Sequence, residues 1–135
     1  MNEIKIGSNS EFIKIEVPLI YSDEGWAQTS VEVKTSNFYG AINPWVESKD
    51  FQLFSSSLSI LYNTLRGSAS FECTEGQFAL KLESLSGGQI EISGFAWSEA
   101  CYGSKLEFCF SLDQTFLQEP LKKLEAIILQ IKANA

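Results

Sequence analysis

The chain has 135 residues, enough for one domain with a proper core and too few for two. Hydrophobic residues make up 44% and charged residues 20%, a balance that supports folding. Ten basic against seventeen acidic residues give a formal charge of −7, which argues against nucleic acid as a direct partner. Histidine is absent, and this removes Ser–His and Cys–His catalysis and histidine-based metal sites.

Met1 to Ser10 lacks a basic segment followed by an apolar run, so no secretory signal is expected, and no apolar stretch approaches a membrane span. Cys73, Cys101 and Cys109 are odd in number and show no CxxC spacing. A reduced, cytoplasmic setting without structural disulfides, metal or cofactor is expected.

From Phe12 the chain alternates, with Ile13, Ile15, Val17 and Leu19 on one face and Lys14 and Glu16 on the other. Pro18 cannot donate to a ladder, so this strand is expected to lie at an edge there or to bend. The polar loop Ser22–Gly25 leads to a second strand from Trp26 to Thr35, and Ser36-Asn37 turns into a third from Phe38 to about Ile42. After Asn43-Pro44 the period changes. Phe51, Phe54, Leu58, Leu61 and Leu65 recur at helical steps, which predicts a helix from Ser48 to Arg66. Ser48 is its expected N-cap, Asp50 sits in the first turn, and Gly67 is the expected stop.

Four more strands follow. A tight turn at Thr74–Gln77 places Phe71 opposite Leu80 and Cys73 opposite Phe78, all inward. Gly87-Gly88 closes the next hairpin, and the faltering alternation at Gly94 suggests a bulge. Beyond a loop from Ser98 to Gly103 come Leu106, Phe108, Phe110 and Leu112 in clean alternation. Leu117, Leu121, Leu124, Ile128 and Ile131 then mark a second helix, with Pro120 in its first turn and residues 113–115 as an irregular entry. The expected fold is a single α+β domain over residues 1–135: an antiparallel sheet of about seven strands under two amphipathic helices, in the order βββα-ββββα. Residues 12–66 and 68–132 read as imperfect copies of one plan.

Chemistry is sparse. On these registers Glu72, Glu83, Glu91 and Glu107 point to solvent, with Lys81 across from Glu91 as an exposed pair; a solvated sheet face accounts for them better than a catalytic carboxylate pair. Cys73 is expected to be buried and inert, Cys109 to lie outward among carboxylates, and Cys101 to sit in a loop without a base. Residues 67–119 carry eight acidic groups against Lys81 and Lys105, a net of −6, whereas residues 120–135 are net +2. Such asymmetry speeds encounter with a basic partner, although plain solubility explains it equally well. Trp26, Tyr39 and Trp45 alternate opposite to Val31, Val33, Phe38 and Ile42 and should share the outer face of the first sheet, with Trp97 and Tyr102 near the 98–103 loop. Exposed aromatics of this kind anchor protein interfaces, unless a helix or a chain end covers them. With the loop carboxylates they give a candidate partner-binding set of Asp23, Glu24, Trp26, Tyr39, Trp45, Glu99 and Tyr102.

Ordered pieces of the chain resemble a known family. The runs Phe12-Ile13-Lys14-Ile15-Glu16-Val17 and Val31-Glu32-Val33-Lys34-Thr35, then Asp50-Phe51, Leu61-Tyr62 and Leu65-Arg66-Gly67, are similar to the WapI-type immunity proteins. So are Phe71-Glu72, Glu75-Gly76, Leu80-Lys81-Leu82, Ile90-Glu91, Gly94, Gly103, Leu106, Phe108 and Leu112-Asp113-Gln114-Thr115, a likeness spanning residues 12–131. The resemblance implies a bacterial cytoplasmic antidote that binds the C-terminal domain of a polymorphic toxin, and it supplies no catalytic motif. A basic nuclease would suit the acidic charge, and a monomer or weak dimer is expected. The alternative is a helix-grip-like domain that carries a small molecule or lipid in an apolar cavity.

Overall fold

Alternating isoleucines and valines build the first sheet of the computed structural model, which describes residues 2–100 and 102–133. The expectation for Cys101 falls outside the described residues. β1 (Glu3–Gly7), β2 (Phe12–Glu16), β4 (Val31–Lys34) and β5 (Tyr39–Ile42) pair antiparallel in the order β1-β2-β4-β5. Ile4, Ile6, Ile13, Ile15, Val31 and Val33 are all buried on its inner face. A strand at Glu3–Gly7 was not expected, because its two isoleucines are too few to make a run. They align with Ile15 and Ile13 across the β1–β2 pair. β2 is therefore central and not an edge, and the chain leaves the sheet before Pro18.

The stretch Trp26–Thr35 is not one strand. β3 (Trp26–Gln28) leaves the first sheet and forms a two-stranded ribbon with β6 (Trp45–Glu47), another strand the alternation is too short to reveal. Buried Thr29 makes the break: its hydroxyl donates to the Glu16 carbonyl and its amide donates to the Pro44 carbonyl at 2.9 Å.

α1 (Ser48–Thr64) buries Phe51, Phe54, Leu58 and Leu61, while Leu65 at the end of that stripe is exposed. Its N-cap is Glu47 and not Ser48; the Asp50 carboxylate accepts the Glu47 N–H at 2.9 Å. The helix stops at Leu65, which takes a left-handed conformation with its amide donating to Leu61, ahead of Gly67.

β7 (Ser68–Glu72), β8 (Phe78–Ser84), β9 (Gln89–Glu99) and β10 (Tyr102–Asp113) form a second antiparallel meander in the order β10-β9-β8-β7. Phe71 lies opposite Leu80, as the turn at Thr74–Gln77 requires, and the Cys73 amide donates to Phe78 at 3.1 Å. Lys81 lies opposite Ser93 and not Glu91, which instead faces Glu83. Gly94 is not a bulge; it stays in register between Leu80 and Phe108. A Cβ there would stand 2.0 Å from the Ala79 carbonyl oxygen and 2.8 Å from the Phe108 ring, so glycine is needed for close approach. The expected loop at 98–103 is mostly strand, with β9 running to Glu99 and β10 resuming at Tyr102.

A 3-10 turn at Gln114–Leu117, opened by the Asp113 carboxylate accepting from Thr115 at 2.9 Å, leads into α2 (Gln118–Ala133). α1 packs on β7 and on α2, and α2 packs on β1. Phe51 and Phe54 meet Phe71 at 4.9 and 5.7 Å between centroids, and the ring series continues through Phe78 to Phe108. One cluster of buried apolar residues thus joins both sheets and both helices. The class is α+β, with ten strands and two helices among the described residues where about seven strands were expected.

Candidate functional site

The candidate site forms where the two sheets and the ribbon meet. In the ribbon, Ala27 and Val46 are buried opposite each other, which turns Trp26, Gln28, Trp45 and Glu47 to the other face. Trp45 and Gln28 form a cross-strand pair, and the Gln28 amide donates to the Asn43 carbonyl at 3.0 Å. They wall a cleft of about 440 Å³ together with the end of β5, Glu75 and Gln77 of the β7–β8 hairpin, and Ser98 and Glu99 of β9. Among the described residues no lysine or arginine lines it.

Four hydrogen bonds hold the hairpins around this cleft. The buried Gln77 amide donates to the Trp97 and Ser98 carbonyls at 3.2 and 3.4 Å, and the Trp97 amide donates back to the Gln77 carbonyl at 2.8 Å. Thr74 of the turn donates to the Glu47 carboxylate at 3.0 Å, tying the ribbon to the second sheet. Gly103, with φ +90°, lets β10 turn beneath Ser98, whose hydroxyl accepts the Ser104 N–H at 2.9 Å.

Of the expected partner-binding residues, Trp45 and Glu99 line the cleft, and Tyr102, two-thirds exposed, lies opposite Glu99. Trp26 shares the ribbon face with Trp45 but is half-buried. Asp23 and Glu24 occupy the exposed turn that opens the ribbon, closed by the Gly25 amide donating to Ser22 at 2.8 Å. Tyr39 does not share a sheet with Trp26 and Trp45; it lies on β5, its hydroxyl donating to Glu32 at 2.6 Å. Phe38, expected inward, is exposed. Glu75, Gln77 and Gln28 were not singled out in the sequence. No local signal marks Gln77, because alternation turns the residue before inward Phe78 toward solvent, and its burial comes from the contacts with Trp97 and Ser98.

Carboxylates also dominate the outer face of the second sheet, where Glu72, Glu83 and Glu107 are exposed and Glu91 is half-buried opposite Glu83. Lys81 stands 4.0 Å from Glu83. Lys105 lies over the Phe95 and Trp97 rings at 4.8 and 5.2 Å and reaches Glu107 at 3.6 Å.

Nucleophilic chemistry finds no support in the two thiols of the described residues, Cys73 and Cys109. Burial, with Asp50 nearby, pushes the Cys73 thiol up to about 12, and partial desolvation with Glu91 alongside raises Cys109, so both stay protonated near neutrality. Desolvation also raises the Asp50 carboxyl despite the Glu47 amide that it accepts. No group of three or more metal-ligating side chains occurs among the described residues, and no described helix is long and apolar enough to cross a membrane.

The arrangement defines an α+β fold with a cleft where the ribbon meets both sheets, walled by Trp45 and Glu99. The chain belongs to the WapI-like immunity protein family, which it matches over residues 4–132. No curated protein and no solved structure matches it.

Proposed function

We propose that this protein neutralises the C-terminal domain of a bacterial toxin by binding and occluding it, without catalysis, in the cytoplasm and as a monomer or weak dimer. Membership of an immunity family supports this role. The observation that carries the binding mode is the cleft at Trp45 and Glu99, which is free of lining lysine and arginine among the described residues. A lysine or arginine of the toxin entering it would meet carboxylate and an aromatic face together. Tyr102, Trp26, Asp23 and Glu24 extend this surface, Tyr39 lies beyond it on β5, and the acidic face of the second sheet would steer a basic toxin such as a nuclease toward it.

The test is a calorimetric titration against the toxin domain encoded beside this gene, with wild type and with Glu99→Lys. Tight binding that weakens in salt and is impaired by Glu99→Lys is the expected result. Equal affinity of the two proteins would sink this binding mode. The small-molecule alternative needs an enclosed apolar cavity, whereas the Trp45 cleft is walled in large part by Gln28, Asn43, Gln77, Ser98 and Glu99.

A further inference from the structure

A second cleft, of about 560 Å³, has the opposite character. Lys5 of β1, Lys14 of β2, and Lys122 and Lys123 of α2 line it with Glu3, Glu119 and Pro120. Four of the chain's ten basic residues thus converge on one groove of a protein whose formal charge is −7. The convergence follows from the fold. β1 and β2 bury their isoleucines and turn Lys5 and Lys14 outward as cross-strand partners. α2 buries Leu121 and Leu124 and leaves the lysine pair between them exposed.

Two like charges directly opposed on a sheet repel, so this placement costs stability unless something offsets it. Part of the offset is internal. Both ammonium groups lie over the Phe12 ring, at 4.9 and 5.6 Å; Lys5 also donates to Asn9 at 2.7 Å, and Lys14 reaches Glu32 at 3.7 Å. Lys122 and Lys123 have no ion pair among the described residues.

The geometry points to this groove as a binding site for an extended acidic peptide segment of a partner protein. Its length argues for a chain over a point anion: an adjoining cleft of about 430 Å³ shares Lys5, Glu119 and Pro120 and continues past Asn9 to the exposed Phe116. Its charge argues for carboxylates over phosphates. Glu3 and Glu119 leave the walls at a modest net positive charge, and the rest of the molecule repels a dense polyanion. Carboxylates spaced along a peptide pair with the lysines, while an apolar side chain between them rests on the exposed Phe116. The site is separate from the Trp45 cleft, sharing no lining residue with it, and the inference does not rest on toxin binding.

Fluorescence anisotropy of a labelled peptide alternating glutamate with leucine tests it directly. Binding to wild type is expected to fall with added salt, and the double variant Lys122→Glu, Lys123→Glu is expected to weaken it about tenfold or more. Lys81→Glu, on the other sheet, serves as the control and leaves it unchanged. Circular dichroism confirms that the exposed substitutions fold. No binding to the folded wild type, equal binding by the double variant, or tighter binding of tripolyphosphate or single-stranded RNA than of the peptide would each overturn the proposal.

Discussion

The two clefts differ in how their charge is handled, although one core supports both. At the Trp45 cleft, carboxylates and amides face solvent around a half-exposed indole, and the buried Gln77 amide nitrogen donates to two backbone carbonyls beneath them. At the lysine groove, like charges are brought side by side and quieted by an aromatic ring. The first surface is what an acidic chain presents almost by default. The second runs against the composition and needs a specific fold to assemble it. Charge that accumulates against the average carries more information about partners than charge that follows it.

The comparison presupposes that both clefts hang on shared packing, and this is the easiest part to break. Phe71 touches Phe51, Phe54 and Phe78 and is 1% exposed. Phe71→Ala should destabilise the fold by about 3–5 kcal/mol, read from urea unfolding. A loss below about 1 kcal/mol would mean that the two regions fold independently of this ring series. Trp45→Ala should cost on the order of 2 kcal/mol of toxin affinity and leave acidic-peptide binding intact. If both affinities fell together, the clefts would not be separate sites.

Smaller effects sharpen the picture around the acidic cleft. Gly103→Ala places a Cβ 2.2 Å from the Ser98 hydroxyl at a positive φ, and should cost on the order of 1 kcal/mol or more of stability by thermal unfolding. An unchanged melting temperature would show that the hairpin shifts freely. Cys73, at the β7–β8 turn, supplies a pH dependence. Its folded pKa, about 12, lies above the ordinary thiol value, so the buried thiol's contribution is complete below pH 9 and is lost as pH rises toward 12. Cys73→Ala should flatten that part of the alkaline stability profile, and an unaltered slope would contradict the burial argument.

Periodicity made elements legible where the pattern ran on and hid those with only one or two inward apolar positions. The helical stripe from Phe51 to Leu61 and the β10 run Phe108, Phe110, Leu112 could be read directly, because each repeats its period often enough. β1 offers only Ile4 and Ile6 and β6 only three residues, too few for alternation to stand out from a loop, whereas the alternation of β2 carries on through Val17 and Leu19. Trp26–Thr35 looked continuous because both halves alternate. What divides it is Thr29, whose hydrogen bonds to Glu16 and Pro44 are long-range and leave no local trace. The same limit governed the sites. Exposure of Trp45 followed from strand alternation and that of Glu99 and Tyr102 from the loop expected at 98–103, but their grouping with Gln28 and Gln77 depends on how the ribbon docks. Lys5 and Lys14 meeting Lys122 and Lys123 depends in turn on α2 folding back onto β1.

The most direct test of the account titrates the neighbouring toxin domain into wild type, Glu99→Lys, and the double variant Lys122→Glu, Lys123→Glu, each at low and high salt. Wild type should bind tightly, more weakly in high salt, and Glu99→Lys should lose affinity at both. The lysine variant reports separately whether the toxin also fills the groove. Binding by Glu99→Lys equal to wild type, with no salt dependence, would contradict recognition through the acidic cleft.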